Sequence, residues 1–312
     1  MEQWFVPYRT DALPRARRVT VLAPHPDDEV FGCGGALLEY LERGARVEVV
    51  VLTDGAAQAV GVERERIAGV RRRETDAALA LLGAPPAVFW NLPDRSLAPG
   101  TGALARRIGD HLAAARMEGA AVDVLLAPSL VEVHPDHAAT ARACVAALAA
   151  LSHGVAGRAG AASPVPCPQL LMYEVGAALA PNLLLDISRH WPKKKSAMAC
   201  FVSQHALQDY GRHIEGLNVF RTYTLGAVAH AEAYRRVRPE ELAALAGAAP
   251  TAARAQYWGD EALLAAEAQC EAMGREIGEL RGEIARLQGA AGPARRLLRP
   301  LVRLLRRLGG RA

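Results

Sequence analysis

The sequence predicts an α/β fold, Rossmann-like in its three layers, with a mostly parallel sheet and a C-terminal helical, coiled-coil appendage. Three observations predict it. Residues 18–22 (RVTVL), 46–52 (RVEVVVL) and 122–128 (VDVLLAP) are short aliphatic runs of the kind buried on both faces of a parallel sheet. Helical patterns closed by Gly or Pro separate them. Each run also ends in a polar turn, which in such a sheet lies at the carboxyl edge, where ligands bind.

Taken in order, the strand at 18–22 is followed by a polar turn and a helix opening near Ala36 and Leu37. The strand at 46–52 then closes a βαβ unit, expected to be right-handed. Gly32, Gly34 and Gly35 do not have G-x-G-x-x-G spacing, and the loop carries acids where a pyrophosphate needs amides. They read as small residues that let a helix pack closely. Residues 63–82 form an amphipathic helix with Ile67, Val70, Ala78 and Leu81 on its apolar side, stopped by Gly83 and Pro85-Pro86. Residues 88–92 (VFWNL) are the next strand and 104–117 the next helix. After the strand at 122–128, residues 138–151 read as an Ala-rich helix and 152–168, rich in Gly, Ala, Ser and Pro, as a loop at the pocket rim. Residues 170–175 and 183–187 are the remaining strand candidates. A helix opening at Trp191-Pro192 is expected to run to Gln204, with Lys193, Lys194 and Lys195 as a solvated face.

The 312 residues are 51% hydrophobic and 22% charged, enough for one good-sized core with an appendage. Residues 1–17 read as an N-terminal arm without the apolar run of a signal peptide or membrane span. Cys33, Cys144, Cys167, Cys200 and Cys270 have no zinc-ribbon or redox spacing, which points to reduced thiols and a cytoplasmic setting. Cys33 reads as a small buried hydrophobe.

The chemistry is concentrated in two turns. Residues 23–29 (APHPDDE) place one His, two Asp and one Glu between the first strand and its helix. Residues 134–137 (HPDH) place two His and an Asp just past the strand at 122–128. Three nitrogen and oxygen ligands with one open position is how catalytic zinc is held. His25, Asp28 and His137 are the expected ligands, for Zn2+ or another divalent metal. His111, His153, His190, His205, His213 and His230 have no such company and read as structural.

These paired signatures resemble the PIG-L/LmbE-like family of zinc-dependent N-acetylglucosaminyl deacetylases. The resemblance spans Arg18 to Tyr234, with a domain expected over 18–245. It implies that Asp27 is the general base and that Arg71 and Asp94 lie near sugar hydroxyls. Residues 186–188 and 193–204, a strand end followed by a Lys-led helix ending in Ser-Gln, are also similar to the family. His134, which is not a ligand in this scheme, is expected to stabilise the tetrahedral oxyanion, as imidazolium or neutral donor. Asp136 is expected to orient His134 or His137 as an acceptor, and Glu29 to support the site from outside or to serve the helix N-terminus. Some relatives carry a Tyr where this chain has Glu132. An ionised Glu cannot stabilise an oxyanion, so that role is expected to be vacant, moved, or taken by a residue such as Tyr173.

The last quarter is a different kind of chain. Residues 246–258 read as a linker. Ala266, Cys270, Met273, Ile277, Leu280, Ile284 and Leu287 alternate four and three residues apart, giving a short coiled coil over 259–289 and a homo-oligomer as one partner expectation. Gly274, Gly278 and Gly282 weaken it by roughly 1 kcal/mol each. From 290 to 312 there are seven arginines and no acid. Without them the chain's formal +4 becomes −3. The arginines suit the anionic headgroups of an inner membrane face, and the leucines on the opposite helical face suit its apolar boundary. Nucleic acid is not an expected partner, because no aromatics interleave the basic residues. The expected activity is removal of an acetyl or acyl group from an N-acetylated sugar, free or lipid-linked. The alternative is a non-catalytic scaffold acting through its C-terminal segments.

Overall fold

The computed structural model describes residues 6–56, 59, 61–156 and 167–247. The chain divides into two units at Tyr257/Trp258, and all described residues lie in the first. The expected coiled coil and basic tail lie outside the described residues.

The elements run β1 (Arg18–Ala23), α1 (Asp28–Glu42), β2 (Arg46–Thr53), α2 (Gly61–Leu82), β3 (Val88–Leu92), α3 (Thr101–Met117), β4 (Val124–Pro128), α4 (Pro135–Ala156), β5 (Gln169–Tyr173), β6 (Leu183–Asp186), α5 (Trp191–Met198), α6 (Val202–His205), α7 (Tyr210–Phe220), β7 (Ala231–Val237) and α8 (Pro239–Gly247). The seven strands form one sheet in the order β3-β2-β1-β4-β5-β7-β6. β3 through β5 pair in parallel, and β7 runs antiparallel between β5 and β6.

Alternation along each strand feeds two cores. Val19, Val21 and Ala23 of β1 join Val47, Val49 and Val51 of β2 on the face covered by α1, α2 and α5. Leu22, Val50, Leu52 and Leu125 pack on the other face with Ile108, Leu112, Cys144, Leu148 and Leu242 of α3, α4 and α8. Both faces being covered explains why the strands read as continuous apolar runs rather than alternating ones.

Strand order reverses between β1 and β4, which lie side by side although two strands separate them in sequence. That crevice is the switch point at which open α/β sheets bind ligands. The turn after β1 and the turn after β4 both empty into it.

Some elements differ from the sequence reading. β7 was not expected, because AEAYRRV carries an acid and two arginines; yet Glu232 is buried, its charge matched by Lys194. The helix from Trp191 stops at Met198 and resumes briefly as α6. Lys193 and Lys195 face solvent, but Lys194 is fully buried, so the three lysines are not one solvated face. α4 begins at Pro135, which puts Asp136 and His137 in its first turn. It also runs through residues 152–156, which were expected to be loop. No helix among the described residues is long and apolar enough to cross a membrane.

Candidate metal centre

β1 ends at Ala23, and Thr53 of the neighbouring strand donates through its amide and hydroxyl to the Pro24 carbonyl, at 3.0 and 2.8 Å. This fixes the start of the turn that carries His25. The His25 amide donates to Asp28 Oδ2 at 2.9 Å, so the turn is closed by the carboxylate it presents. Asp27 sits just before α1 with φ 146°, a region L-residues rarely adopt. It is held there because its amide donates to Glu29 Oε2 and its carbonyl accepts from Val30 and Phe31.

Three side-chain atoms converge across the switch point. His25 Nδ1 lies 3.2 Å from Asp28 Oδ2 and 3.1 Å from His137 Nε2, and His137 Nε2 lies 3.1 Å from Asp28 Oδ2. Tetrahedral ligands at zinc bond lengths would stand about 3.3 Å apart, so this triangle fits one divalent cation. All three residues are buried. Two imidazole nitrogens aimed at one another cannot both donate, and with the Asp28 oxygen that faces both they form the two-nitrogen, one-oxygen set that suits a cation. The His25, Asp94 and Asp136 group is a second candidate set on the far side of the His25 ring, and Glu39, Glu42 and His190 a third, while His134 also brings a ring nitrogen within 4.8 Å of ring nitrogens of His25 and His137. The third is already compensated by Arg43 and Arg189. The second has one nitrogen and two carboxylates, a poorer match to zinc than two nitrogens and one carboxylate.

The far ring nitrogens explain what the carboxylates around the triangle do. His25 Nε2 faces Asp94 Oδ1 at 3.2 Å and Asp136 Oδ2 at 3.5 Å. His137 Nδ1 faces Glu132 Oε2 at 3.4 Å. A metal-binding His typically turns its other N–H to a carboxylate in this way. Glu132 is itself pinned, accepting from the amides of Val175 at 2.6 Å and Gly176 at 3.0 Å. Asp136 accepts from the amides of Arg95 and Leu97. The sequence reading left Glu132 without a role and placed Asp94 near sugar hydroxyls; both carboxylates are directed at the imidazoles. Tyr173, named as a substitute oxyanion donor, is fully buried and donates its hydroxyl to the Leu22 carbonyl at 2.9 Å.

Arg71 is likewise buried. Its Nη2 donates to Asp27 Oδ2 at 2.8 Å and to the Pro26 carbonyl, and its Nη1 to the Gly55 carbonyl. Gly55 has φ 62°, and a Cβ there would stand 2.7 Å from that guanidinium. The sequence placed Arg71 near substrate; the structure places it on the expected base.

Burial raises the Asp27 carboxyl to about 7, with Arg71 opposing the rise. Burial, then the Asp27 charge, raises Glu29 to about 8. Asp28 moves the other way: burial would raise it, but His137 and His25 outweigh that and hold it well below the carboxylate range. Burial alone would lower both rings of the triangle. Contacts to Asp136, Asp28 and Asp94 instead hold His25 well above its ordinary value, and Asp28 and Glu132 raise His137 to about 9.

His134 is half-buried beside them, its ring centroid 4.5 Å from His25 and 5.2 Å from His137. Burial, then the two neighbouring rings, lower it to about 4. The Asp136 amide donates to its Nδ1 at 3.2 Å. The ring is therefore neutral with its proton on Nε2, a donor and not an imidazolium. A separate cavity of about 670 Å³ opens at the other end of the strands, near Arg18, Arg46, Glu48 and His111, and contains none of these groups.

Residues 20–148 match the family model described as PIG-L, GlcNAc-PI de-N-acetylase. This stretch is a PIG-L family domain. It contains all the residues of the candidate metal centre, from His25 to His137. The chain is 28% identical over 202 residues to the probable N-acetyl-alpha-D-glucosaminyl L-malate deacetylase 2 of Bacillus anthracis, covering 61% of this chain and 82% of that one. It is 37% identical over 78 residues to the 1D-myo-inositol 2-acetamido-2-deoxy-alpha-D-glucopyranoside deacetylase of Tsukamurella paurometabola, 22% of this chain and only 26% of that one. The N,N'-diacetylchitobiose deacetylase of Pyrococcus horikoshii superposes with a TM-score of 0.60 at 24% identity, covering 72% of this chain and 85% of that one, which shows the shared fold. The relatives named in these matches are deacetylases, hydrolases that act on N-acetyl amides.

Proposed function

We propose that the protein is a zinc-dependent N-deacetylase that removes the acetyl or a related acyl group from an N-acetylglucosamine-type sugar. The observation that carries this is the 3.1–3.2 Å triangle of His25, Asp28 and His137, with a carboxyl of pKa about 7 on one side and a neutral imidazole on the other.

His25 Nδ1, Asp28 Oδ2 and His137 Nε2 would hold the cation, which when bound polarises the amide carbonyl and makes water a better nucleophile at neutral pH. Asp27 takes the water proton through its carboxylate, whose raised pKa lets it keep that proton and return it to the leaving amine. Arg71 fixes the position of that carboxylate. His134 Nε2–H donates to the oxygen that gains charge as water adds to the carbonyl carbon. The C–N bond then breaks, giving a carboxylate and a free amino sugar. Glu132 and Asp94 hold the two imidazole rings at their far nitrogens. Asp136 holds His134 through its amide and faces His25 with its carboxylate.

The named substrates of the relatives, both with an N-acetylglucosamine unit, support the sugar class. The Arg- and Leu-rich sequence of residues 290–312 supports a glycoconjugate met at an anionic membrane face by a peripheral protein. A scaffold that merely kept the fold would not need Asp27 and His134 beside an intact triangle. The test is acetate release from N-acetylglucosamine, its glycosides and its lipid-linked forms by Zn2+-loaded protein. Release from none of them would remove the proposal. Loss of anionic-vesicle binding on deletion of 290–312, with turnover of a soluble sugar kept, would support the membrane part, and no vesicle binding by the full chain would sink it.

A further inference from the structure

α1 is two helical pieces. Cys33 has φ −144° and ψ 25°, so the element breaks there. The first piece, residues 28–32, carries Asp28 directly after Asp27; the second runs from Gly34 to Glu42. A break in a helix leaves carbonyls without donors on one side and amides without acceptors on the other.

Two side chains from distant elements fill this one. Lys194 of α5 donates from Nζ to the Phe31 carbonyl at 3.0 Å, closing the first piece. Its other two protons go to Asn218 Oδ1 at 3.0 Å and Glu232 Oε1 at 2.7 Å. Glu232 of β7 accepts from the amides of Gly35 at 2.7 Å and Ala36 at 2.9 Å, opening the second piece, and from the Tyr234 hydroxyl at 2.5 Å. The glycines make the approach possible. A Cβ on Gly35 would stand 2.3 Å from Ile187 Cγ2, and one on Gly34 3.1 Å from Lys194 Cγ. On Gly32 it would enter the Tyr173 ring at 2.2 Å.

The ammonium and the carboxylate are 0% and 1% exposed. A buried pair is a weak source of stability, since well-packed apolar residues of similar volume often do as well or better. What the pair does that apolar residues cannot is supply a donor and two acceptors at the break. One residue links it to the site: Phe31 gives its carbonyl to Lys194 and its amide to the Asp27 carbonyl, at 2.9 Å.

We infer that the Lys194–Glu232 pair is a positioning device that sets the direction of residues 28–32, and through them the placement of Asp27 and Asp28. Its consequence for activity rests on the roles proposed above for those two carboxylates; its consequence for the backbone does not.

The test is a cycle of Lys194→Met, Glu232→Gln and the double variant in the full chain. Each single variant leaves a charge buried without its partner and is expected to melt well below wild type. The double variant carries no unpaired charge and is expected to recover most of that loss. A merely structural pair would recover its other properties in step. A positioning pair would not: in the double variant Zn2+ affinity, read by chelator competition, stays down roughly tenfold or more. The Co2+ ligand-field spectrum also changes, and the Val30 and Phe31 amides exchange with solvent faster than in wild type while those of β1 and β4 do not. A double variant that regains melting temperature, Zn2+ affinity and Val30/Phe31 protection together would overturn the inference. If wild type itself bound no Zn2+, the proposed function would fall, and amide exchange would decide the present inference by itself.

Discussion

Glu132→Gln tests whether the ring of His137 is held from behind. The wild-type carboxylate presents only acceptors, and three donors face them: the amides of Val175 and Gly176 and, at 3.4 Å, His137 Nδ1. Glutamine keeps the volume but turns one oxygen into a donor, so at least one of the three meets another N–H. An unsatisfied buried polar group costs about 1–3 kcal/mol. If the Val175 and Gly176 amides keep the remaining oxygen, the mismatch falls on His137, and the loss appears as metal affinity. Removing such an outer partner typically weakens affinity by about 10- to 100-fold. The assay is Zn2+ competition with a chromophoric chelator, together with a melting curve of the metal-free protein. A folded Glu132→Gln protein with wild-type Zn2+ affinity would refute the reasoning.

Asp27→Asn keeps the metal and loses about 100- to 10,000-fold in turnover, because an amide cannot take the water proton; wild-type turnover would reassign the base. His134→Ala also keeps the metal and loses about 2.7–4 kcal/mol of transition-state stabilisation, read as kcat/KM. Its kcat/KM in wild type should show no decline between pH 4 and 6 that His134→Ala removes, since the ring is already neutral above about 4. Metal-free protein loses stability as pH rises from about 6.5 to 9. His137 is raised to about 9 in the fold, so its contribution is complete below its unfolded value of about 6.5 and gone above 9; Glu29, raised to about 8, adds to the slope up to that pH, whereas the Asp27 loss has the same sign but falls mostly lower, between its ordinary value of about 4 and about 7. Melting temperatures across that range check it, and a rise with pH would contradict it. Saturating Zn2+ should remove much of the slope, because the cation replaces the ring protons.

Much of the architecture is legible because its physical causes are local. Strands buried on both faces write themselves as aliphatic runs, and β1, β2 and β4 are found that way. β7 is hidden because its Glu232 is neutralised by Lys194, 38 residues earlier, and no local pattern records that. The break in α1 is hidden for the same reason, although three glycines in four residues hinted at close packing. At the site, the two turns announce His25, Asp27, Asp28 and His137 through residue type and position after a strand. Glu132 and Asp94 do not, since their meaning depends on which ring nitrogen they face. A buried acid two residues before one His and five before another is visible in the sequence, but its direction is not. Arg71 shows how a surface-looking position on a long helix can lie under a strand-end turn.

His25, Asp28 and His137 together are expected to hold one divalent cation on which activity depends. Elemental analysis of purified wild type and His137→Ala, paired with acetate release before and after chelation, tests it most directly. About one metal per wild-type chain is expected, little in the variant, and activity that is lost on chelation and restored by Zn2+. Full metal content in a folded His137→Ala protein, or undiminished turnover after complete metal removal, would contradict it.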